Sequence, residues 1–288
     1  MVSAPSGGPL GDHVLTRADG RRVAWSEWGK GDAPTVLLLH RNPGSRLFDP
    51  DPEATVASNA RLITMDRPGY GRTDPVTSPT FEVVSSDISS VIDDLDLDEV
   101  ALVGWSGGGM FAVHAAAALG NRVRSLSLVC TPAPDKEIPW IPDAFRPLMK
   151  AVSSDPAGAL ASITAACGFY ADDPDAMAES DPSAADAEVR SCPEIKVRLV
   201  QMMREGARQG AIGMASDVVA GSNNEALPFD EVQEPVRLWY GDADWIGQEH
   251  SRWYAERMQN AKLTVIPGAG HLQPLTSWGA ILDAALAT

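Results

Sequence analysis

Residues 100–109 read Val-Ala-Leu-Val-Gly-Trp-Ser-Gly-Gly-Gly, and this segment is the strongest indication of how the chain folds. A short apolar run, typical of a strand, ends at Ser106, and the alanine-rich segment at 110–119 is typical of a helix. The glycines match G-x-S-x-G, the nucleophile elbow, in which a tight strand-to-helix turn raises the serine hydroxyl above the sheet. Small residues are needed at Gly104 and Gly108 because this turn presses the strand end against the first helical turn. We therefore predict that Ser106 is a nucleophile.

Strand-like and helix-like segments alternate on both sides of this stretch. Strands are predicted at residues 13–16, 21–28, 35–40, 61–66, 123–130, 235–240 and 262–266, and further helices at 81–95 and 274–286. Several of the strands are continuous apolar runs, which is typical of strands covered on both faces. The alternation predicts an α/β fold with a mostly parallel central sheet and helices on both faces.

The alternation stops between residues 132 and 230. This segment opens with several prolines, and helices are predicted at 157–170, 183–209 and 211–221 without a strong strand. We interpret it as a helical cap inserted into a core domain. The domain boundaries predicted from this pattern are a flexible Pro-, Gly- and Ser-rich tail at 1–11, a core at 12–131 and 231–288, and the cap at 132–230.

The composition narrows the classes of function. The 288-residue chain carries 23 basic and 39 acidic residues, so its formal charge is −16, which argues against nucleic-acid or anionic-membrane surfaces. Cys130, Cys167 and Cys192 form no C-x-x-C pair, so neither a zinc site nor a disulfide framework is expected. No signal-peptide pattern opens the sequence and no apolar run approaches about 18 residues. A cytoplasmic protein is expected, either a monomer or a homodimer.

A serine nucleophile needs a general base and a carboxylate that orients the base. Such groups are presented by loops that follow the carboxyl ends of parallel strands. Asp244 follows the strand at 235–240, and His271 follows the strand at 262–266 in a small-residue loop. The chain order Ser106, Asp244, His271 matches the order expected after a G-x-S-x-G turn. We predict that His271 is the base and Asp244 the orienting acid.

Other residues compete for these two roles. Asp242 is closer to the strand end and competes with Asp244 as the acid, its alternative role being to brace the turn; Asp135 follows the strand after the elbow helix. Structural roles are favoured for His13 and His114, His40 is expected to shape the loop that follows its strand, and a surface position is expected for His250.

The oxygen that becomes negative during acyl transfer needs two backbone N–H donors. One is expected from Gly107, the residue after the nucleophile, and the other from the loop at 40–45, where Asn42 is the candidate.

Taken together, five segments resemble the α/β-hydrolase superfamily, in its capped serine hydrolase, carboxylesterase-like subgroup. They are His-Arg-Asn-Pro-Gly at 40–44, Asp-Arg-Pro-Gly-Tyr-Gly-Arg-Thr at 66–73, Gly-Trp-Ser-Gly-Gly at 104–108, Gly-Asp-Ala-Asp at 241–244 and Gly-His at 270–271. The resemblance implies acyl-transfer chemistry without a metal or organic cofactor. Relatives that act as dehalogenases or epoxide hydrolases use aspartate at the elbow, so Ser106 points away from both.

One position departs from the resemblance. Relatives usually carry glycine where this chain has Arg41, and arginine adds bulk and a cation beside the substrate. Arg41 could bind an anionic substrate group, brace the loop from outside or impair the oxyanion hole, and the sequence leaves all three open.

Apolar residues adjoin the predicted catalytic groups. Trp105, Trp245 and Leu272 flank them, and the cap is rich in aromatic and Met residues, so we expect a largely apolar pocket with these three and Arg41 as substrate contacts. The favoured function is hydrolysis of a small to medium carboxylic ester or lactone through an acyl-enzyme. Two alternatives remain: a lyase, C–C bond hydrolase or cyclisation catalyst with the same triad, and a non-catalytic ligand-binding protein.

Overall fold

The computed structural model describes residues 8–180, 183–222 and 227–287. Residues 1–7 of the predicted tail lie outside this part of the chain. The end of that tail does not extend freely, because the Leu10 N–H donates to the Glu27 carbonyl and the first strand already begins at Gly11.

Eight strands form one sheet in the order β1-β2-β4-β3-β5-β6-β7-β8. Their bounds are β1 Gly11–Thr16, β2 Arg22–Gly29, β3 Thr35–Leu39, β4 Arg61–Met65, β5 Val100–Trp105, β6 Val123–Val129, β7 Val236–Gly241 and β8 Ala261–Ile266. Strand β2 pairs antiparallel with β1 and β4, and all other neighbours pair parallel. The predicted mostly parallel α/β sheet is confirmed.

Helices follow most of the strands. The helices are α1 Pro52–Ala57, α2 Phe81–Asp94, α3 Gly108–Leu119, α4 Arg146–Ala151, α5 Pro156–Ala166, α6 Gly168–Asp172, α7 Pro174–Glu179, α8 Ala184–Arg190, α9 Pro193–Gly206, α10 Ile212–Ser222, α11 Gln248–Arg257 and α12 Pro274–Leu286. Over the described ranges, none of them combines the length and apolarity that crossing a lipid bilayer requires.

Both faces of the sheet are covered. Every residue of β3 and β5 is buried, as expected for central parallel strands. Because side chains alternate along a strand, Leu37 and Leu39 pack with α2, α3 and α11. Val36 and Leu38 belong to the opposite cluster, with residues of α12 and α9. The residues of β5 alternate in the same way, with Leu102 in the first cluster and Val103 in the second, so the strand that leads to Ser106 lies between two apolar layers.

The segment between β6 and β7 contains α4 to α10 and, among its described residues, no strand. The predictions of one continuous helix at 157–170 and another at 183–209 are wrong. The first is divided at Cys167, and the second is divided before Pro193, which begins α9. Proline is tolerated in the first turn of a helix but not in its interior. The division into core and cap domains stays a prediction.

Candidate active site

Ser106 lies between β5 and α3 with φ +55°, and its N–H donates to the Val129 carbonyl of β6 at 2.8 Å. The neighbouring glycines are sterically required. A Cβ on Gly104 would lie 2.5 Å from the Gly109 Cα, and one on Gly108 would lie 2.4 Å from the Leu39 carbonyl oxygen. The sequence Gly-x-Ser-x-Gly thus permits a close strand–helix turn that holds the serine in a left-handed conformation rare for residues with a Cβ.

The three predicted catalytic side chains meet at the carboxyl ends of the strands. The His271 Nε2 lies 2.8 Å from the Ser106 Oγ, and the His271 Nδ1 lies 3.0 and 3.1 Å from the two carboxylate oxygens of Asp244. Because a carboxylate only accepts, Nδ1 carries the proton in a neutral His271, which leaves Nε2 as the acceptor that faces Ser106. This tautomer suits proton removal from the serine.

The electrostatic surroundings keep Asp244 charged. Burial acts to raise the pKa of this carboxyl, but His271 and the Ile246 N–H, which donates to Asp244 Oδ1 at 3.0 Å, outweigh it. The pKa of Asp244 therefore lies below its ordinary value. All three side chains are at least nine-tenths buried, so water screens this charge weakly.

Two contacts hold the loop of His271. The Trp105 indole N–H donates to the His271 carbonyl at 3.0 Å. From α8, the buried Asp186 carboxylate accepts from the His271 N–H at 2.8 Å and from the Leu272 N–H at 2.7 Å. A Cβ on Gly270 would lie 2.4 Å from the Asp186 carboxylate, so this loop fits closely around it.

The loop after β3 faces Gly107. A Cβ placed on Gly107 would lie 3.8 Å from the Asn42 backbone nitrogen, and Asn42 and Gly107 line the same cavity as Ser106. Within the described ranges, the buried Asn42 Oδ1 accepts no hydrogen bond. Arg67 supports the same loop, with hydrogen bonds to the carbonyls of His40 at 2.6 Å and Arg41 at 3.2 Å.

His40 is buried beneath this loop. Burial and the nearby Arg67 hold the pKa of His40 well below its ordinary value. Its Nδ1 lies 2.7 Å from the Arg41 carbonyl oxygen, so it carries the proton as a donor. The geometry fits the predicted role of His40 in shaping the loop.

A cavity of about 170 Å³ opens at Ser106. Apolar groups from α3, α10 and the segment before α4 dominate its wall. It is lined by Arg41, Asn42, Ser106, Gly107, Met110, Phe111, Asp135, Trp140, Ile141, Pro142, Phe145, Cys167, Met214, Asp217, Val218, Gly221 and Trp245. Two predicted substrate contacts, Arg41 and Trp245, therefore lie on this wall. The Arg41 guanidinium carbon also lies 5.4 Å from the centre of the Trp105 ring.

The other two predicted substrate contacts need correction. Trp105 is fully buried, stacks on Phe48 and holds the His271 carbonyl, so its side chain does not reach the cavity. Leu272 packs in the apolar layer beneath the sheet, and its N–H is held by Asp186. Both predictions assumed that a residue next to a catalytic residue in sequence also contacts the substrate. Side chains of consecutive residues point to different sides, so this assumption does not hold here.

The structure also separates the competing acids and histidines. Asp242 is exposed and accepts from the Gly268 N–H at 2.6 Å, so it braces the turn. The Asp135 carboxylate accepts from the N–H groups of Trp140 and Ile141 and from Arg146.

The remaining histidines lie away from the Ser106 hydroxyl. His13 stacks on Trp25 and His114 contacts Ser85. His250, expected at the surface, is buried and accepts from the Ala133 N–H.

Two interacting residues near the site were missed from the sequence. Asp217 of α10 accepts from Arg67 at 2.9 and 2.6 Å and from the Tyr70 hydroxyl at 2.9 Å. Asp186 of α8 was likewise passed over. A lone aspartate among the apolar residues of 211–220 was the available signal for Asp217, whereas Asp186 lies in an ordinary polar stretch.

Three side chains that can bind metal ions lie near one another at the site. Among the described residues, ligand atoms of Cys130, Asp244 and His271 lie within 4.8 Å of one another. Both His271 nitrogens already contact Ser106 and Asp244, and burial holds the pKa of the Cys130 thiol well above its ordinary value. Because a metal needs a thiolate and a free imidazole nitrogen, this arrangement suits proton transfer better than metal binding.

Comparisons with known proteins agree with this architecture. The chain is 35% identical over 114 residues to a 2-hydroxy-6-oxononadienedioate/2-hydroxy-6-oxononatrienedioate hydrolase of Cupriavidus pinatubonensis; this match covers 38% of this chain and 39% of the relative. It is 25% identical to the bifunctional esterase/perhydrolase DCH of Acinetobacter calcoaceticus, over 91% of this chain and 94% of the relative. The fold is similar to that of a bromoperoxidase from Bacillus anthracis, with TM-score 0.70 and 20% identity over 96% and 98% of the two chains. A family profile described as the alpha/beta hydrolase fold matches residues 34–277. The chain therefore belongs to the α/β-hydrolase superfamily.

Proposed function

We propose that this chain is a serine hydrolase that cleaves a carboxylic ester or lactone through an acyl-enzyme. The observation that carries the proposal is the continuous hydrogen-bonded chain from Ser106 through His271 to Asp244. In the first step the Ser106 Oγ forms a bond to the substrate carbonyl carbon while its proton passes to His271 Nε2. His271 then protonates the departing alkoxide, and Asp244 stabilises the imidazolium that exists between these transfers.

In the second step water replaces the alcohol. His271 takes a proton from that water, the resulting hydroxide attacks the acyl carbonyl, and the proton returns to the Ser106 oxygen as the acid leaves. The N–H groups of Asn42 and Gly107 are the proposed donors to the negative oxygen in both steps. Arg67 supports the first of these donors through the carbonyls of His40 and Arg41.

The cavity supports a small-molecule substrate that is small to medium in size and largely apolar. Its wall combines aromatic and aliphatic groups with few polar groups, all close to Ser106. Trp245 contributes a partly exposed indole at the mouth, with its ring centre 5.2 Å from that of His271.

The test compares wild type with Ser106→Ala in two measurements. One is turnover of a short-chain p-nitrophenyl ester, and the other is covalent labelling by a fluorophosphonate, read by mass spectrometry. We expect Ser106 to carry the label and the variant to lose turnover by about 10⁴-fold or more. Ser85→Ala is the matched control, because Ser85 is also buried and its Oγ lies 3.1 Å from a ring nitrogen of His114, yet it lies away from the elbow. Full turnover or labelling in Ser106→Ala would overturn the proposal, and ligand binding without turnover in wild type would favour a non-catalytic protein.

A second candidate is hydrolysis of a carbon–carbon bond next to a ketone by the same three residues. The relative from C. pinatubonensis is named for a hydroxy-oxo dioate, a compound with a ketone and two carboxylates. Arg41 on the cavity wall offers a cation to such a compound. Assaying 1,3-diketones beside esters separates the candidates: diketone cleavage with no ester turnover would replace the first proposal with the second.

A further inference from the structure

One buried carboxylate joins the helical segment between β6 and β7 to the loop of the proposed base. Asp186 lies on α8 and is fully buried. Its Oδ2 accepts from the His271 N–H at 2.8 Å, and its Oδ1 accepts from the Leu272 N–H at 2.7 Å. Because His271 lies after β8, this contact joins parts of the chain that are 85 residues apart.

The two N–H groups flank the His271 Cα. A carboxylate that binds both of them therefore restrains the backbone around the atom from which the imidazole extends. The His271 carbonyl is restrained as well, because it accepts from the Trp105 indole N–H at 3.0 Å. The backbone of the proposed base is thus held from two directions, by α8 and by the strand that leads to Ser106.

The loop fits closely around the Asp186 carboxylate. A Cβ placed on Gly270 would lie 2.4 Å from the Asp186 Oδ1 and 2.5 Å from its Oδ2. Gly270 is not in the left-handed region, so an alanine there would be opposed by this contact rather than by backbone strain. A side chain at position 270 would push the carboxylate away from the two N–H groups that donate to it.

The start of α8 also reaches the loop of the proposed acid. The Ser183 hydroxyl, directly before α8, accepts from the Asp186 N–H at 3.4 Å and donates to the Ala243 carbonyl at 3.4 Å. Ala243 is the neighbour of Asp244 in the chain. The position of α8 is therefore linked to both loops that carry the partners of Ser106.

We infer that Asp186 is a positioning residue, through which the docked α8 sets the orientation of the proposed base. This inference rests on the proposed serine hydrolase function, and Asp186 acts through His271 rather than on the substrate. Proton transfer depends on the 2.8 Å contact between His271 Nε2 and Ser106 Oγ. A displacement of about 1 Å is enough to lower the rate by about 10²-fold.

The first experiment compares Asp186→Asn with Glu205→Gln. Asparagine keeps the size of the side chain but offers one acceptor and presents an NH₂ to the other N–H, so the loop must move. Glu205 of α9 also joins the helical segment to the core, through an ion pair with Arg46 at 2.6 Å, and its described contacts do not include the loop of His271. It is therefore the matched control.

We expect both variants to lower the melting temperature. Only Asp186→Asn should reduce kcat for a p-nitrophenyl ester, by about 10²-fold with KM changed less than about twofold. It should also slow fluorophosphonate labelling of Ser106, because the base would be displaced from the nucleophile. The assays are run well below both melting temperatures, so that unfolding does not contribute.

Gly270→Ala tests the same contact with the charge retained. Asp186→Asn removes a negative charge near the imidazolium as well as an acceptor, and the lost charge alone would disfavour that cation. Gly270→Ala keeps the charge and displaces the carboxylate, so it should lower kcat by a similar factor. Gly168→Ala is the steric control, because a Cβ there meets no atom within 4 Å. In Gly270→Ala/Asp186→Asn the two losses should not multiply, since both changes break one contact.

Each outcome supports or overturns the inference. Equal kcat losses in Asp186→Asn and Glu205→Gln would overturn the positioning role, as would an unchanged kcat in folded Asp186→Asn or in folded Gly270→Ala. Losses that multiply in the double variant would show that the two positions act independently and would overturn it too. Absence of both turnover and Ser106 labelling in wild type would instead reject the proposed function, and the inference with it.

Discussion

Arg67 and Asp217 form an ion pair in which Arg67 Nη2 and Asp217 Oδ2 are 2.6 Å apart, with both side chains almost completely buried. Arg67 follows β4 and Asp217 lies on α10, so the pair joins the core to the helical segment. The same guanidinium holds the carbonyls of His40 and Arg41. One arginine therefore connects the position of α10 to the loop that carries Asn42.

Replacing Asp217 with asparagine should destabilise the protein by about 3–5 kcal/mol, because the buried Arg67 charge would lose its partner. Urea unfolding gives the free energy. Glu99→Gln is the matched control, since it removes the partner of Arg124 at an exposed site and should cost less than about 1 kcal/mol. Similar losses in the two variants would contradict the buried ion pair.

The acid of the proposed triad can be identified by substitution. Asp244→Asn should reduce kcat by about 10⁴-fold, because the amide would favour the wrong His271 tautomer. Asp242→Asn should reduce kcat by no more than a few fold, since that carboxylate only accepts from the Gly268 N–H. Steady-state kinetics on one ester measures both, and the reverse order of effects would make Asp242 the acid.

The elbow glycines offer a steric prediction. Gly108→Ala should destabilise the protein by about 1–3 kcal/mol and lower activity, because its Cβ would press on the Leu39 carbonyl, which cannot move without disturbing β3. Gly168→Ala is the control, as a Cβ there meets no atom within 4 Å. Thermal unfolding of both variants tests this prediction. Equal melting temperatures would show that the turn accommodates the added Cβ.

Sequence reasoning succeeded where local pattern and function coincide. Buried parallel strands have continuous apolar runs, so β3 to β6 and the fold class were predictable. The positions of Ser106, Asp244 and His271 at strand ends follow from the same pattern, and these side chains lie in contact, while their catalytic roles stay a proposal. It failed for contacts that depend on distant packing. Trp105 and Leu272 were assigned to the substrate because of their neighbours in sequence, whereas the roles of Asp186 and Asp217 depend on how α8 and α10 dock, which no local pattern specifies.

Asp49 carries a buried carboxyl group away from the candidate site, and its pKa predicts how the free energy of unfolding depends on pH. Burial raises the pKa of Asp49 to about 7 from 3.8, against the hydrogen bonds from Thr55 and the Asp51 N–H. Between about pH 4 and about pH 7 the folded state therefore holds a proton that the unfolded chain has lost. The folded-state pKa of Asp49 is higher than its pKa in the unfolded chain. The contribution of Asp49 to stability is therefore complete below about pH 4 and is lost as pH rises through about 7.

Asp49→Asn removes the cost of ionising this group, so it should stabilise the protein by about 2–4 kcal/mol above pH about 7 and have little effect near pH about 4. Urea unfolding at several pH values measures the difference. Asp32→Asn, at an exposed loop position, should show no such trend. A difference between wild type and Asp49→Asn that stays constant with pH would show that Asp49 titrates normally.

The Asp186 contact also bears on how this scaffold can be re-engineered. A chimera that replaces residues 132–230 with the corresponding segment of another hydrolase would change the pocket but also remove a carboxylate on which the base loop rests. Such a graft should work best if the donor segment brings an acceptor to the same two N–H groups, or if the recipient loop is shortened so that it no longer needs one. Replacing the segment at 132–230 therefore does not change substrate specificity alone. The replaced segment also supports the loop of His271, which is kept.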